Sequence, residues 1–111
     1  MDNFLKFIDE NIENLTKEEE ILKTTDRKDE SNLKKIQVNI YDIAKTYYMV
    51  VNKNTPANEF ANAYVTKLEN LYNTWEKAYA SAKKYDDTQK VVIEELKLSA
   101  LRNVIEKFKE N

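Results

Sequence analysis

LKKIQVNIYDIAKTYYMV, residues 33–50, is the stretch of the chain that decides its fold. Large apolar side chains recur in it at steps of three and four residues, at Leu33, Ile36, Ile40, Ile43, Tyr47 and Val50. This spacing follows the turn of an α-helix and places the six side chains along one side of it. The stretch therefore predicts an amphipathic helix that buries one face against other helices.

Three further segments show the same spacing. The first carries it at Leu5, Ile8, Ile12, Leu15 and Leu22, the third at Ala57, Ala61, Tyr64, Leu68, Leu71, Trp75, Ala78, Ala82 and Tyr85, and the fourth at Ile93, Leu96, Ala100, Leu101, Val104 and Phe108. Thr55 is the predicted N-cap of the third helix, directly before Pro56. The cluster 86–88 supplies caps for the fourth. We predict helices at about residues 2–24, 28–53, 56–85 and 88–110.

The predicted connections between these helices are short. Helices joined by short loops pack as antiparallel neighbours, and helices of about 22 to 29 residues have similar lengths of about 33–43 Å. The sequence therefore predicts one all-α domain over residues 1–111, an antiparallel up-and-down four-helix bundle. An alternative is open at residues 16–32, where no glycine or proline interrupts the chain. There the first two helices could continue as one long rod, which would require an intertwined oligomer, or turn at Thr24, Thr25 and Asp26.

The composition excludes most catalytic chemistry. The chain has no glycine, no histidine and no cysteine. Glycine-rich phosphate loops, the usual zinc ligands, thiol nucleophiles and an imidazole base are therefore all missing. We predict no catalytic residue, no cofactor and no metal ligand.

Charge and hydropathy limit the kinds of partner that the sequence predicts. The 18 basic and 20 acidic residues are spread along the chain, so no single-sign field predicts binding to nucleic acid or to a membrane surface. The longest apolar run, residues 47–51, is too short to span a bilayer. No basic segment followed by an apolar one opens the sequence, so we predict a cytoplasmic protein. Its frequent Lys, Asn, Ile, Tyr and Glu suggest a bacterial, AT-rich genome.

Two apolar edges lie outside the main faces of the predicted helices. Val91, Leu98 and Ile105 follow one another at intervals of seven on the fourth helix and predict a homodimer seam, unless that helix is simply central in the bundle. Tyr41 and Tyr48, seven apart at the edge of the second helix, are the second predicted partner surface.

Aromatic residues concentrate on the third helix. Phe60, Tyr64, Tyr72, Trp75, Tyr79 and Tyr85 lie on or near one face, and Tyr47 joins them from the second helix. They predict a core of packed rings, and the alternative is an aromatic-lined cavity that binds a small molecule.

Carboxylates supply the one enzyme hypothesis. Glu10 and Glu13, followed by Asp26 and Asp29, resemble the magnesium-binding pattern of the all-α nucleoside-triphosphate pyrophosphatases, with aspartate at position 26 where that pattern has glutamate. The resemblance covers about twenty residues and implies a magnesium-dependent hydrolase. From the residues themselves we predict a non-enzymatic protein-interaction module, which forms a homodimer and has a possible protein partner.

Overall fold

The computed structural model describes residues 2–110, and it is an antiparallel up-and-down bundle of four helices. Its helices are α1 (Asp2–Thr24), α2 (Lys28–Asn54), α3 (Phe60–Lys84) and α4 (Thr88–Glu110). No strand occurs among these residues. The predicted fold class is confirmed. Over residues 2–110, none of the helices combines the length and the apolar character that a membrane-spanning helix needs.

The chain turns between α1 and α2, so the two do not form one rod. Two backbone bonds close the turn: the Arg27 N–H donates to the Leu22 carbonyl (2.8 Å) and the Asp26 N–H to the Lys23 carbonyl (3.4 Å). This pair of bonds is the Schellman motif, in which the residue after the helix adopts a left-handed conformation. Asp26 is that residue, with φ of 64°.

The turn between α3 and α4 has the same geometry. The Asp87 N–H donates to the Ala82 carbonyl (3.0 Å) and the Asp86 N–H to the Lys83 carbonyl (3.2 Å). Asp86 has φ of 56°. Glycine is the usual residue at this position because it has no Cβ to clash, and aspartate is one of the few others that tolerate it. A chain without glycine thus uses aspartate at the left-handed position of both Schellman turns.

The start of α3 differs from the prediction. The Glu59 N–H donates to the Pro56 carbonyl (2.9 Å), so residues 56–59 form a turn, and the helix begins at Phe60. Thr55 is therefore not the N-cap. The predicted cap of α4 is confirmed, because the Asp87 carboxylate accepts a bond from the Lys90 N–H at 3.2 Å.

Each helix packs mainly on its neighbour in sequence, which gives the bundle two hairpins, α1–α2 and α3–α4. Lys45 pairs with Asp9 (2.7 Å) and Lys34 with Glu18 (3.1 Å) along the first hairpin. Near its turn, the buried Ser31 hydroxyl donates to the Glu19 carbonyl at 3.1 Å. Between the hairpins, the most extensive contact joins α2 to α4, with a smaller one between α2 and α3.

Five aromatic rings join the hairpins at the end of the bundle where α1 and α3 begin and α2 and α4 finish, here called the terminal end. This aromatic cluster consists of Phe4, Tyr48, Phe60, Tyr64 and Phe108, and every ring is at most 7% exposed. Phe108 lies 4.8 Å from Tyr64 and 5.0 Å from Phe4 between centroids, both edge to face. Such pairs add attraction beyond the area they bury. All four helices contribute, so the cluster is the common core.

Burial between the hairpins decreases toward the other end, here called the turn end because it holds both Schellman turns. Leu101 and Val104 on α4 are at most 1% exposed, as is Leu68 on α3. Leu33 and Ile36, closer to the start of α2, are only half-buried. The hairpins are therefore firmly packed together at the terminal end and less so at the turn end.

We expect Asp86→Gly to stabilise the fold, by about 0.5–1 kcal/mol, because glycine has no Cβ to strain at positive φ. Asp86→Ala should destabilise it by about 1 kcal/mol, since alanine keeps the Cβ and lacks the local hydrogen bonding of aspartate. Urea unfolding followed by circular dichroism measures both. A loss of stability in the glycine variant would contradict the assignment of strain to this turn.

Tyr64 gives a test of the core. Its buried hydroxyl donates to the Ala44 carbonyl at 2.7 Å. Burial, with the neighbouring Tyr48, raises its pKa well above the ordinary value of 10.0. Tyr64→Phe should cost about 1 kcal/mol at neutral pH. The phenol stays neutral in the folded state but ionises in the unfolded chain above pH 10, so the native protein loses stability as the pH rises beyond that value.

Urea unfolding at about pH 8 and about pH 11 should therefore show the stability gap between the native protein and Tyr64→Phe closing at the higher pH. Tyr79→Phe is the control, because that side chain is only half-buried and lies outside the aromatic core. A gap that widens with pH would contradict the burial of the Tyr64 phenol.

Candidate partner-binding surface

An apolar groove opens between α2 and α4 at the turn end. Both helices begin at this end, so their first turns lie side by side, and the side chains of Leu33, Ile36, Val92 and Ile93 form the groove. Asp29, Asn32 and Gln89 complete its lining, and its volume is about 430 Å³. Apolar walls with a few polar groups are typical of surfaces that bind another molecule.

Exposed apolar side chains lie at the same end of the bundle. Ile21 near the end of α1 is 62% exposed, Tyr85 at the end of α3 is 73% exposed and Val92 on α4 is 47% exposed. The other large hydrophobic side chains exposed among residues 3–110 are Met49 and Val50, in the C-terminal part of α2. The groove residues together with Ile21 and Tyr85 are called the turn-end surface below.

The total surface of the chain is larger than its mass predicts. A compact monomer of 13.1 kDa has an accessible surface of about 6,400 Å². This chain exposes 7314 Å², about 900 Å² more. Its radius of gyration is 15.3 Å, where about 13 Å is typical for this length. The excess reflects the elongated shape of the bundle, which measures 47 × 35 × 22 Å along its principal axes.

The structure places four of the five predicted interface residues in the core of the single chain. Leu98 is 6% exposed and Ile105 9%, while Tyr41 is 3% and Tyr48 7% exposed. Val91 alone is half-buried. These four side chains therefore offer almost no surface to a partner, and the prediction that they form an exposed interface is corrected.

The reason is the position of α4 and α2 at the centre of the bundle. Because α4 packs on both α3 and α2, it buries a wide arc, which was the alternative left open for Val91, Leu98 and Ile105. Tyr48 belongs to the aromatic cluster, and Tyr41 packs edge to face on Phe7 at 6.2 Å. Burial raises the pKa of Tyr41, and a hydrogen bond with Asn103 partly offsets that rise.

The aromatic residues of α3 divide into two groups. Phe60 and Tyr64 join the closed cluster, whereas Tyr72, Trp75 and Tyr79 are half-buried. Each of these three rings carries a cation on its face: Arg102 on Tyr72 at 5.7 Å, Lys97 on Trp75 at 4.6 Å and Lys83 on Tyr79 at 5.1 Å. The half-buried rings thus serve as contact faces for cations. This arrangement gives no support to an aromatic-lined cavity.

A larger groove, of about 570 Å³, runs between the outer sides of α3 and α4. Two of its cations already have partners, because the Arg102 guanidinium donates to the Tyr72 hydroxyl and Lys109 pairs with Glu69 at 3.2 Å. Charged, amide and hydroxyl side chains make up its lining apart from Ile105, and the groove is widely open. Its size therefore matters less for partner binding than the unsatisfied apolar area of the turn-end surface.

The four carboxylates of the pyrophosphatase-like pattern do not meet. Glu10 and Glu13 are exposed on α1, and Glu13 pairs with Lys17 at 3.0 Å. Asp26 lies in the following turn, about 20 Å further along the helix axis, and Asp29 in the first turn of α2. Residues 2–110 hold no group of three or more acidic side chains that could bind a metal ion. The geometry gives the magnesium-enzyme hypothesis no support.

Glu94 is a polar core residue that the apolar pattern did not identify. It is 6% exposed, and it lies four residues before Leu98 and seven before Leu101 on the buried face of α4. Its helical spacing from those two leucines was the signal available in the sequence.

A search for known relatives finds no match to a family model, to a curated protein or to a solved structure.

Leu98→Glu tests the corrected position of the fourth-helix edge. A residue on a dimer seam would leave a folded monomer when replaced, but a buried one introduces an unpaired charge into the core. We expect a loss of about 3–5 kcal/mol, with less helical signal in circular dichroism and early urea unfolding. A fully stable Leu98→Glu protein would contradict the burial of this side chain.

Proposed function

We propose that this protein is a non-enzymatic protein-interaction module that acts as a homodimer, joined through the turn-end surface. The observation that carries the proposal is the apolar groove between α2 and α4, at the same end as the exposed Ile21 and Tyr85. A second copy of this chain is the proposed occupant. The module contributes no chemistry of its own in this proposal and works by presenting its assembled surface.

A twofold dimer would cover the turn-end surface of both copies in one contact. The groove and the exposed Ile21, Tyr85 and Val92 would then be buried together. In a twofold interface, the same patch meets itself, so the apolar helical faces of α2 and α4 would pack against their copies.

The charges beside the groove support a self-complementary contact. The α1–α2 connection carries both signs in succession, with Arg27 and Lys28 between Asp26 and Asp29. Arg27 is paired with Glu30 within the chain. When a rim of alternating charge meets the same rim on a second copy, cations of one copy can pair with anions of the other. Two rims of a single sign would repel each other.

The alternatives receive less support. The pyrophosphatase-like carboxylates lie apart, and the buried rings pack directly on one another, edge to face or stacked, at centroid distances of 4.8–6.1 Å instead of surrounding a cavity. The cytoplasmic location and the bacterial origin remain predictions from composition. A further protein partner beside the second copy remains a prediction as well.

Val92 and Val50 form a matched pair for the test. They are 47% and 48% exposed, both on helices, but only Val92 lines the groove. We expect the native protein to be a dimer in sedimentation equilibrium at about 100 μM and Val92→Glu to be a folded monomer, with dimerisation weakened about a hundredfold or more. Val50→Glu should dimerise like the native protein.

Circular dichroism and thermal unfolding establish that both variants keep the bundle. A native protein that is monomeric at this concentration would overturn the proposal. Loss of the dimer in Val50→Glu with retention in Val92→Glu would overturn it too, because the interface would then lie on the opposite part of α2.

A further inference from the structure

Glu94 stands out because its carboxyl group is buried and one of its two oxygens has no hydrogen-bond partner. The side chain lies on the buried face of α4 and the residue is 6% exposed. Its Oε1 is 3.4 Å from the Lys97 ammonium, close to the outer limit for a hydrogen bond. Its Oε2 has no hydrogen-bond partner among the described residues.

Such a group is costly to keep in a protein core. A buried polar atom without a partner costs about 1–3 kcal/mol, and more when it is charged. One long contact from Lys97 compensates only part of this cost, and an apolar residue at position 94 would avoid it. A donor from outside the chain that reaches Oε2 would therefore be favourable.

Lys97 and Trp75 define what lies beside this carboxylate. The Lys97 ammonium sits 4.6 Å from the centre of the Trp75 ring while it contacts Glu94, so one cation bridges an indole face and a carboxylate. The Lys97 side chain is 23% exposed and the Glu94 side chain 8%. Lys97 is thus the outer member of the group, and its flexible stem can move it into solvent.

The chemistry of the group favours a guanidinium ion over an ammonium ion. An ammonium ion is a compact point charge, and here it reaches one oxygen only. A guanidinium group is planar, donates two parallel N–H bonds to the two oxygens of a carboxylate, and stacks on aromatic faces. It would satisfy Oε2 of Glu94 and also lie against Trp75.

We propose that Glu94 and Trp75 form a binding site for a guanidinium group, which Lys97 occupies in the free protein and a ligand displaces. The guanidinium is either an arginine side chain of a protein or a free small molecule. The site does not depend on the proposed homodimer, because its residues belong to one chain and none of them lines the groove.

Trp75 is the single tryptophan of the chain, so its fluorescence reports on the site directly. We would titrate the protein with ethylguanidinium, with ethylammonium and with a capped Ala-Arg-Ala peptide at constant ionic strength. Ethylguanidinium should cause a saturable change in emission at roughly 1–10 mM, far below denaturing concentrations, and ethylammonium should bind about tenfold more weakly. The peptide distinguishes the sources: about tenfold tighter binding indicates a protein arginine, and equal binding a free small molecule.

Variants assign the response to the site. Lys97→Met removes the internal competitor and should tighten ethylguanidinium binding about tenfold. If this variant is less stable, ethylguanidinium should raise its melting temperature more than that of the native protein. Glu94→Gln should abolish the response, whereas Glu95→Gln, at the exposed neighbouring position, should leave it unchanged.

The same titration of the monomeric Val92→Glu variant separates this proposal from the homodimer, because the emission change should persist there. Absence of a saturable response up to about 50 mM in both the native protein and Lys97→Met would overturn the guanidinium site. So would an equal response to ethylammonium, or a response that survives in Glu94→Gln.

Discussion

The packing of five aromatic rings at the terminal end is the interaction on which the rest of the structure depends. Each hairpin is held by contacts between sequence neighbours, but the hairpins need the cluster to stay together. The rings of Phe4, Tyr64 and Phe108 come from three different helices, and their centroids lie within about 6 Å of one another. Because this contact is concentrated at one end, the other end is left with a groove and exposed apolar side chains. The candidate surface is thus a direct result of where the core is placed.

The helices could be predicted from the sequence because their burial pattern is local. Leu33, Ile40 and Tyr47 mark one face of α2 by spacing alone, and the turn at Asp26 could be weighed against a rod. The start of α3 could not be predicted, because the Pro56 carbonyl closes a turn with Glu59 that leaves no trace in the apolar pattern. The position of each helix within the bundle, central or peripheral, could not be predicted either. Tyr41 and Leu98 lie at the edges of their stripes, and only the central positions of α2 and α4 make them core residues.

The candidate site was predictable to a smaller degree. An apolar surface on the outside of α4 was expected, and Val92 provides one. Val92 does not belong to the predicted series Val91, Leu98 and Ile105, whose members are seven residues apart. The groove depends on how far the two hairpins diverge, which is a property of the whole core and not of any one helix. The pairing of cations with half-buried rings, such as Lys97 with Trp75, joins residues 22 positions apart and needs the register of α3 against α4.

The contact between Phe4 and Phe108 also has a consequence for the order of folding. Most contacts of the chain close short loops within a hairpin, which costs little entropy and is fast. The Phe4–Phe108 pair, in contrast, closes a loop of nearly the entire chain, so we expect both hairpins to form before this pair does. We expect the species that precedes the native state to be a pair of preformed hairpins with their aromatic faces open to water. Such a species can exchange hairpins with a second molecule, and the ring cluster is the point at which this domain swapping is either completed or prevented.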